Sequence, residues 1–251
     1  MYCKDAAARA FTLIELLVVV SIVALLIGIL LPALGGARDS ARSVQCLSNM
    51  RSLSLAMLMY AEDSDGELPR SSHSAGFRSL PWAAALYEPI TGDAFAGSGY
   101  SWDNEGWWTA TNTHYRCPHD RRESPIVRQG LPFGFAAFSY GMNAYYELRK
   151  EEIDPERWSG QRAELYRKIY SVPRASATIV LGELPDLTSV DHIMAHFWRT
   201  RAAAAGEGVA VDRHGERAAY AMLDGHAKER AFEEVYNEQD GTDSWNPATA
   251  H

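Results

Sequence analysis

Residues 9–34 read Arg9-Ala-Phe-Thr-Leu-Ile-Glu15-Leu-Leu-Val-Val-Val20-Ser-Ile-Val-Ala-Leu25-Leu-Ile-Gly-Ile-Leu30-Leu-Pro-Ala-Leu34. From Phe11 to Leu34 this is 24 residues, roughly 36 Å of helix at 1.5 Å per residue. A hydrocarbon core about 30 Å thick needs about 20 apolar residues, so the run is long enough to span a bilayer. One carboxylate, Glu15, interrupts it near its start. An acid at mid-bilayer costs about 2.5–3.5 kcal/mol on insertion scales and marks function by default. Near one end the cost is lower, yet the carboxylate still asks for a partner.

Working outward, residues 1–10 are short and polar, with Lys4 and Arg9 positive and Asp5 negative. An ordinary secretory signal places its small cleavage-site residue after the apolar stretch. Here the small residue, Ala10, comes before it. A cut between Ala10 and Phe11 removes the leader, keeps the helix, and creates an ammonium on Phe11 four residues from Glu15. Ammonium and carboxylate neutralise each other in a low dielectric. They do so as i, i+4 neighbours in one helix, or between two copies, where the pair sets the axial stagger of adjacent helices.

Phe11-Thr12-Leu13-Ile14-Glu15, followed by an apolar helix containing Pro32, resembles the N-terminus of type IV pilin-like proteins, the pseudopilins of type II secretion among them. The resemblance implies that a prepilin peptidase cuts before Phe11 on the cytoplasmic side and methylates the new terminus. It implies that Glu15 guides subunit docking and that the helix bends at Pro32. The family usually has Gly before the cut, where this chain has Ala10. The implied partners are other pilin-like subunits, the peptidase and an inner-membrane assembly platform. The implied location is a single-pass inner-membrane protein whose C-terminal domain is exported, then a filament. A plain signal anchor is the competing reading, and it leaves Glu15, the early cut and the residue order without a reason.

Under that topology the three cysteines divide by side of the membrane. Cys3 stays with the cytoplasmic leader, while Cys46 and Cys117 are exported to where disulfides persist. An even pair is most simply one disulfide. It would close a loop of about 70 residues, worth about 4 kcal/mol in the chain-entropy model. Two buried free thiols are the alternative. Removing leader and span leaves enough chain for one domain with its own core. The chain's seven Trp, twelve Tyr and eight Phe, all but Tyr2 and Phe11 in that remainder, mark it as globular rather than a disordered stalk. The net charge of −8 comes without a basic stripe to track phosphates, so nucleic acid is not an expected partner.

The helix is expected to continue past Pro32 to about Ala61, bending near Pro32 or Gly35-Gly36. Ala33, Ala37, Ala41 and Val44 continue one face, and Met50, Leu53, Met57 and Tyr60 recur at 3-4-3 spacing as a core-facing stripe. Asp63-Ser64-Asp65-Gly66 ends the helix with turn residues rather than a calcium loop. The expected division is therefore leader 1–10, assembly helix 11–34, amphipathic continuation 35–61 and globular domain 62–251. The fold class is α+β, a long hydrophobic helix packed by its C-terminal half on a domain with a small antiparallel sheet.

Within that domain, Pro81 opens a short helix reaching Ile90. Residues 92–108 are expected as a long surface loop. Its Trp102, Trp107 and Trp108 either offer a sugar-stacking surface or pack the loop onto the body. Short strands are expected at 114–118, 138–143 and 177–181, a helix at 162–170, and a loose tail after Tyr236. Residues 217–232 read as a hairpin about Asp224-Gly225, a type I′ signal. Several pieces resemble a pilin-like subgroup that is large in planctomycete-type genomes. They are Cys46-Leu47-Ser48-Asn49-Met50-Arg51, Cys117-Pro118-His119-Asp120, Ser139-Tyr140-Gly141-Met142-Asn143, and His214 followed after nine residues by Asp224-Gly225.

His214, Asp224 and His226 could together hold a divalent cation such as calcium, or serve as an acid–base pair. A turn role for Asp224, satisfying backbone N–H groups, competes with both. No other cofactor is expected. The chain has no nucleophile elbow, phosphate loop or paired-Cys zinc spacing, so nothing positive points to an enzyme. The leading expectation is a structural filament subunit. The rivals are a membrane-anchored module binding a surface polysaccharide or other ligand, and an anchored hydrolase using His214 and Asp224.

Overall fold

A computed structural model describes residues 12–72, 81–95, 105–122, 138–148, 166–186, 188, 190–200 and 206–251. The chain divides into two units, Met1–Ala41 and Arg42–His251. Helix α1 (Leu13–Asp63) contributes to both and runs through Pro32 as one helix. The helix therefore extends as expected and ends two residues later. In the first unit every side chain from Thr12 to Ala41 is exposed, including all the Leu, Ile and Val of the apolar run. Ser21 lies inside that run and donates its hydroxyl to Val18 O (2.8 Å), so the helix itself satisfies it.

In the second unit α1 buries Cys46, Asn49, Met50, Leu53, Ser54, Ala56, Met57 and Ala61. The three-and-four spacing is that of one helix face against a core. Val44 is exposed, so the expected continuation of the face through Ala33, Ala37, Ala41 and Val44 has no buried role. The end of α1 is a left-handed turn: Asp65 and Gly66 have φ of 55° and 82°, and the Gly66 N–H donates to Ala61 O (2.7 Å). Asp65 pairs with Lys168.

Pro81 does precede a helix, but the expected single helix breaks at Leu86 into α2 (Trp82–Ala85) and α3 (Tyr87–Thr91). The expected loop over 92–108 is wrong at its end, because Glu105–His114 is helix α4. Its residues are mediocre helix formers. Trp107, Ala110 and Thr111 nevertheless recur at helical spacing and are buried, and burial outweighs propensity. The strand expected at 114–118 is absent; Tyr115–His119 runs in bends and turns. Of the helix expected at 162–170, residues 162–165 lie outside the described set. Tyr166 and Arg167 are not helical, Lys168 bridges to Glu67, and Ile169–Ser171 makes one 3-10 turn.

Among the described residues five strands form the sheet: β1 (Tyr140–Asn143), β2 (Ile179–Glu183), β3 (His192–Ile193), β4 (Ala218–Met222) and β5 (Ala227–Arg230), in the order β3-β1-β2-β4-β5. All pairs are antiparallel except β1 with β3, so the sheet is mixed rather than purely antiparallel. Both faces are buried. On β4, Ala219 and Ala221 join the core that holds Met50, Leu53 and Met57 of α1, while Ala218, Tyr220 and Met222 join a second core. The small alanines fit a close approach of α1, whose Ser54 hydroxyl donates to Met222 O (2.9 Å).

The second core overturns the expectation of a loose tail. Strands β6 (Tyr236–Asn237) and β7 (Thr242–Asp243) pair, and Trp245 is fully buried, edge-on to Trp198 and Tyr220. The backbone is tied in as well: Ser244 N–H donates to Val235 O (2.9 Å), and Ser244 O accepts from Ile179 N–H (2.8 Å).

Candidate functional site

Two constellations stand out, one at the start of α1 and one around Cys46. Ala10 and Phe11 lie outside the described residues. Glu15 accepts the Thr12 N–H (2.9 Å) and the Thr12 hydroxyl (2.7 Å), and its own N–H donates to Thr12 Oγ1 (3.2 Å). This is a reciprocal capping box, with Thr12 at the N-cap and Glu15 three residues on. The sequence carried that signal, a Thr-x-x-Glu just ahead of an apolar run, and the reading of Glu15 as a docking contact passed over it.

The second constellation joins α1 to the domain. Cys46 and Cys117 form a disulfide with Cα atoms 4.9 Å apart, as expected. One turn along α1, Asn49 donates from Nδ2 to Thr113 O (2.9 Å) and Arg116 O (3.1 Å), taking carbonyls at the C-terminal end of α4 that the helix leaves unpaired. The Cys117 N–H donates to Ser139 Oγ (2.8 Å), and the Ser139 hydroxyl donates to Asp120 Oδ2 (2.5 Å). Asn143 donates from Nδ2 to Ile179 O and Trp245 O, linking β1, β2 and the tail. The Cys-x-x-Asn, Cys-Pro-x-Asp and Ser-Tyr-Gly-Met-Asn segments thus mark the joints of the domain.

Charge is balanced inside this hub. Burial pushes the Asp120 carboxyl up, but the guanidinium groups of Arg213 and Arg122, with the Ser139 hydroxyl and the Arg122 N–H, hold it below the usual carboxylate range. Arg213 stands 3.6 Å from Asp120 and 3.7 Å from Glu183, and pairs with Asp186. Burial pulls its guanidinium down, and Glu183, Asp120 and Asp186 more than restore it.

His214 occupies the centre. A turn places it there: Gly215 has φ of 80°, and the His214 N–H donates to Arg217 O (2.9 Å). Its side chain is 1 % exposed. Nε2 lies 3.1 Å from both oxygens of Glu183 and 3.7 Å from Cys117 Sγ. Nδ1 lies 3.0 Å from Ser43 Oγ and 3.3 Å from Glu229 Oε1. The His119 ring packs edge-on against it, with centroids 4.8 Å apart. Glu183 is fully buried at the end of β2 and accepts the Ala219 N–H on Oε2 (2.8 Å). A Ser–His–Glu row is therefore present, but its ring nitrogens are exchanged relative to a hydrolytic triad, where Ser meets Nε2 and the carboxylate meets Nδ1.

The structure does not gather the three expected cation ligands. His214 precedes β4, whereas Asp224 and His226 lie in the turn beyond its other end. Asp224 Oδ1 accepts the His226 N–H (3.1 Å) and stands 2.5 Å from His226 Nδ1, so Asp224 takes the turn role. The turn differs from type I′, which needs two positive φ values. Gly225 alone has one, 92°, and its N–H donates to Met222 O (3.0 Å). Leu223-Asp224-Gly225 is a three-residue loop with glycine in the left-handed position. What sequence reasoning missed at the site is Ser43, Glu183 and Glu229; isolated Ser and Glu in helix and strand carry no motif.

Residues 36–164 match the model of a family described as "Protein of unknown function (DUF1559)", and residues 5–31 match that of the prokaryotic N-terminal methylation motif. The first match covers half of the chain. The chain belongs to the DUF1559 family. No curated protein and no solved structure matched it significantly. In this DUF1559 protein the matched segment contains Cys46, Asn49, Cys117, Asp120, Ser139 and Asn143, the residues that the hydrogen bonds and the disulfide connect. His214 and Asp224-Gly225 lie beyond it. The methylation motif is the signal of type IV pilin-like, prepilin-processed chains.

Proposed function

We propose that this DUF1559 protein is a non-catalytic structural subunit of a type II secretion or type IV pilus-like filament. A prepilin peptidase removes residues 1–10 and methylates Phe11. The chain waits as a single-pass inner-membrane protein with residues 42–251 exported, and an assembly platform then packs α1 against α1 of other pilin-like subunits. The observation that carries this reading is the apolar half of α1. It exposes every side chain from Thr12 to Ala41, and the methylation-motif match, residues 5–31, covers most of its apolar run. Glu15, the one carboxylate between Phe11 and Leu34, is exposed and can leave Thr12 for the amine of a neighbour.

Two Glu15 variants, expressed with a peptidase and a filament system, test it. The parent chain is expected to lose residues 1–10, gain one methyl group and enter sheared filaments. Glu15→Val should be cleaved and fail to assemble. Glu15→Gln keeps a capping oxygen for Thr12 and removes the charge, so it should also fail. If Glu15→Gln enters filaments as well as the parent, Glu15 serves the helix end alone and the docking role is wrong.

The rival reading as an anchored binding module drew on the Trp-rich segment. Trp107 is buried against Tyr87, Phe95, Tyr115 and Phe138 and offers no face to a sugar. Trp102 and the side chain of Trp108 lie outside the described residues.

A further inference from the structure

A disulfide needs only its two cysteines, yet at Cys46–Cys117 a buried carboxylate and a buried imidazole meet the sulfurs. We propose that in the dithiol state Cys46, Cys117, His214 Nε2 and Glu183 form a closed site for a divalent cation of the Zn2+ kind, and that cation and disulfide are alternative states of one site. The four ligand atoms all lie within 4.8 Å of one another. A tetrahedral zinc shell, with bonds of about 2.0–2.3 Å, spaces its ligand atoms by roughly 3.3–3.8 Å. Nε2 already stands 3.1 Å from Glu183 and 3.7 Å from Cys117 Sγ. The two sulfurs must move apart to take their places in that shell.

The surroundings are those of a ligand shell. A metal-bound imidazole hydrogen-bonds through its other nitrogen, and a ligating carboxylate is itself hydrogen-bonded. His214 Nδ1 faces Ser43 Oγ and Glu229 Oε1, and Glu183 accepts the Ala219 N–H. Two thiolates, one carboxylate and Zn2+ leave one negative charge, which the Arg213 guanidinium 3.7 Å from Glu183 offsets. Both cysteines and Glu183 are fully buried. Burying a carboxylate and an imidazole is costly unless they are well paired, and the crosslink by itself gains nothing from them.

The interconversion balances. A dithiol reductant gives two electrons and two protons, breaking the S–S bond to leave two thiols, and becomes a disulfide. Zn2+ then displaces the two thiol protons. A disulfide oxidant takes two electrons from the thiolates, re-forms the bond and frees the ion. This site uses residues separate from Glu15 and α1's apolar half, so it stands or falls independently of the filament reading.

The test uses the full chain in detergent, carrying Cys3→Ser so that only the two site cysteines remain. The chain is reduced with a phosphine, freed of it without air, and titrated with Co2+ and then Zn2+. One Co2+ per reduced chain is expected, with thiolate-to-cobalt charge transfer and tetrahedral ligand-field bands, displaced by Zn2+. The oxidised chain and the reduced chain in urea should lack that spectrum. Ser43→Ala removes no ligand and should weaken Zn2+ about 10- to 100-fold. A reduced chain without thiolate charge transfer, an octahedral spectrum, or equal uptake by the oxidised chain overturns the proposal. The spectrum is read on a chain with all four ligands, so the outcome does not depend on whether a ligand variant folds.

Discussion

Asp120 shows how a single residue ties the domain to pH. Its carboxyl is held below the ordinary range chiefly because Arg213 and Arg122 outweigh the cost of burial. A depressed folded value means that its contribution is whole above the unfolded value, about 3.9, and is lost as pH falls through the folded one. Asp120→Asn should therefore lower stability at pH 7, by about 3–5 kcal/mol if both guanidiniums keep their places with less charge opposite them. It should also flatten the acid side. The melting temperature followed by near-UV circular dichroism from about pH 5 down to pH 2 should fall less in the variant than in the parent. Glu15 carries a different lesson at the same scale. The lone acid of the apolar run stood out in the sequence, while the local hydrogen bonds that hold it in a lone chain came from Thr12, a neighbour already in view.

At the scale of elements, the β4–β5 hairpin was legible because Asp-Gly punctuates two runs, but the turn type was not. Gly225 stands at φ of 92°, and a Cβ there would lie 2.8 Å from Leu55 Cδ2 on α1. That contact comes from a helix some 170 positions away in sequence, which no local reading supplies. Gly225→Ala should cost about 2–3 kcal/mol, partly from the left-handed backbone and partly from overpacking. In a Leu55→Ala background the cost should drop to about 1–2 kcal/mol, the backbone share alone. Urea unfolding of the four chains in a double-mutant cycle measures this, and equal costs in both backgrounds would deny the contact. Helix α4 shows the opposite limit. Glu105–His114 carries Gly, Thr and Asn that argue against a helix, and it folds as one because Trp107 reaches the aromatic cluster of Tyr87, Tyr115 and Phe138.

Across the whole molecule, the Cys46–Cys117 bridge links α1 to the segment after α4 over a sequence separation of 71. Replacing both cysteines by alanine should lower unfolding stability by roughly 4 kcal/mol through the freed loop. Urea unfolding of the oxidised parent and the double variant, both in detergent, checks it; an unchanged midpoint would place the cohesion of the hub in Asn49, Ser139 and Asp120 instead. The amino-acid sequence by itself determined the methylation-motif segment, the apolar helix with its one acid, the continuation to about Ala61 and the disulfide. These rest on local composition, helical period and an even pair of cysteines beyond the apolar run. Tertiary structure alone decided that His214 turns away from Asp224 and His226 toward Glu183, Ser43 and the sulfurs, and that Trp245 closes a second core. Those partners are brought together by sheet order and by burial of both sheet faces, and neither leaves a pattern in neighbouring residues.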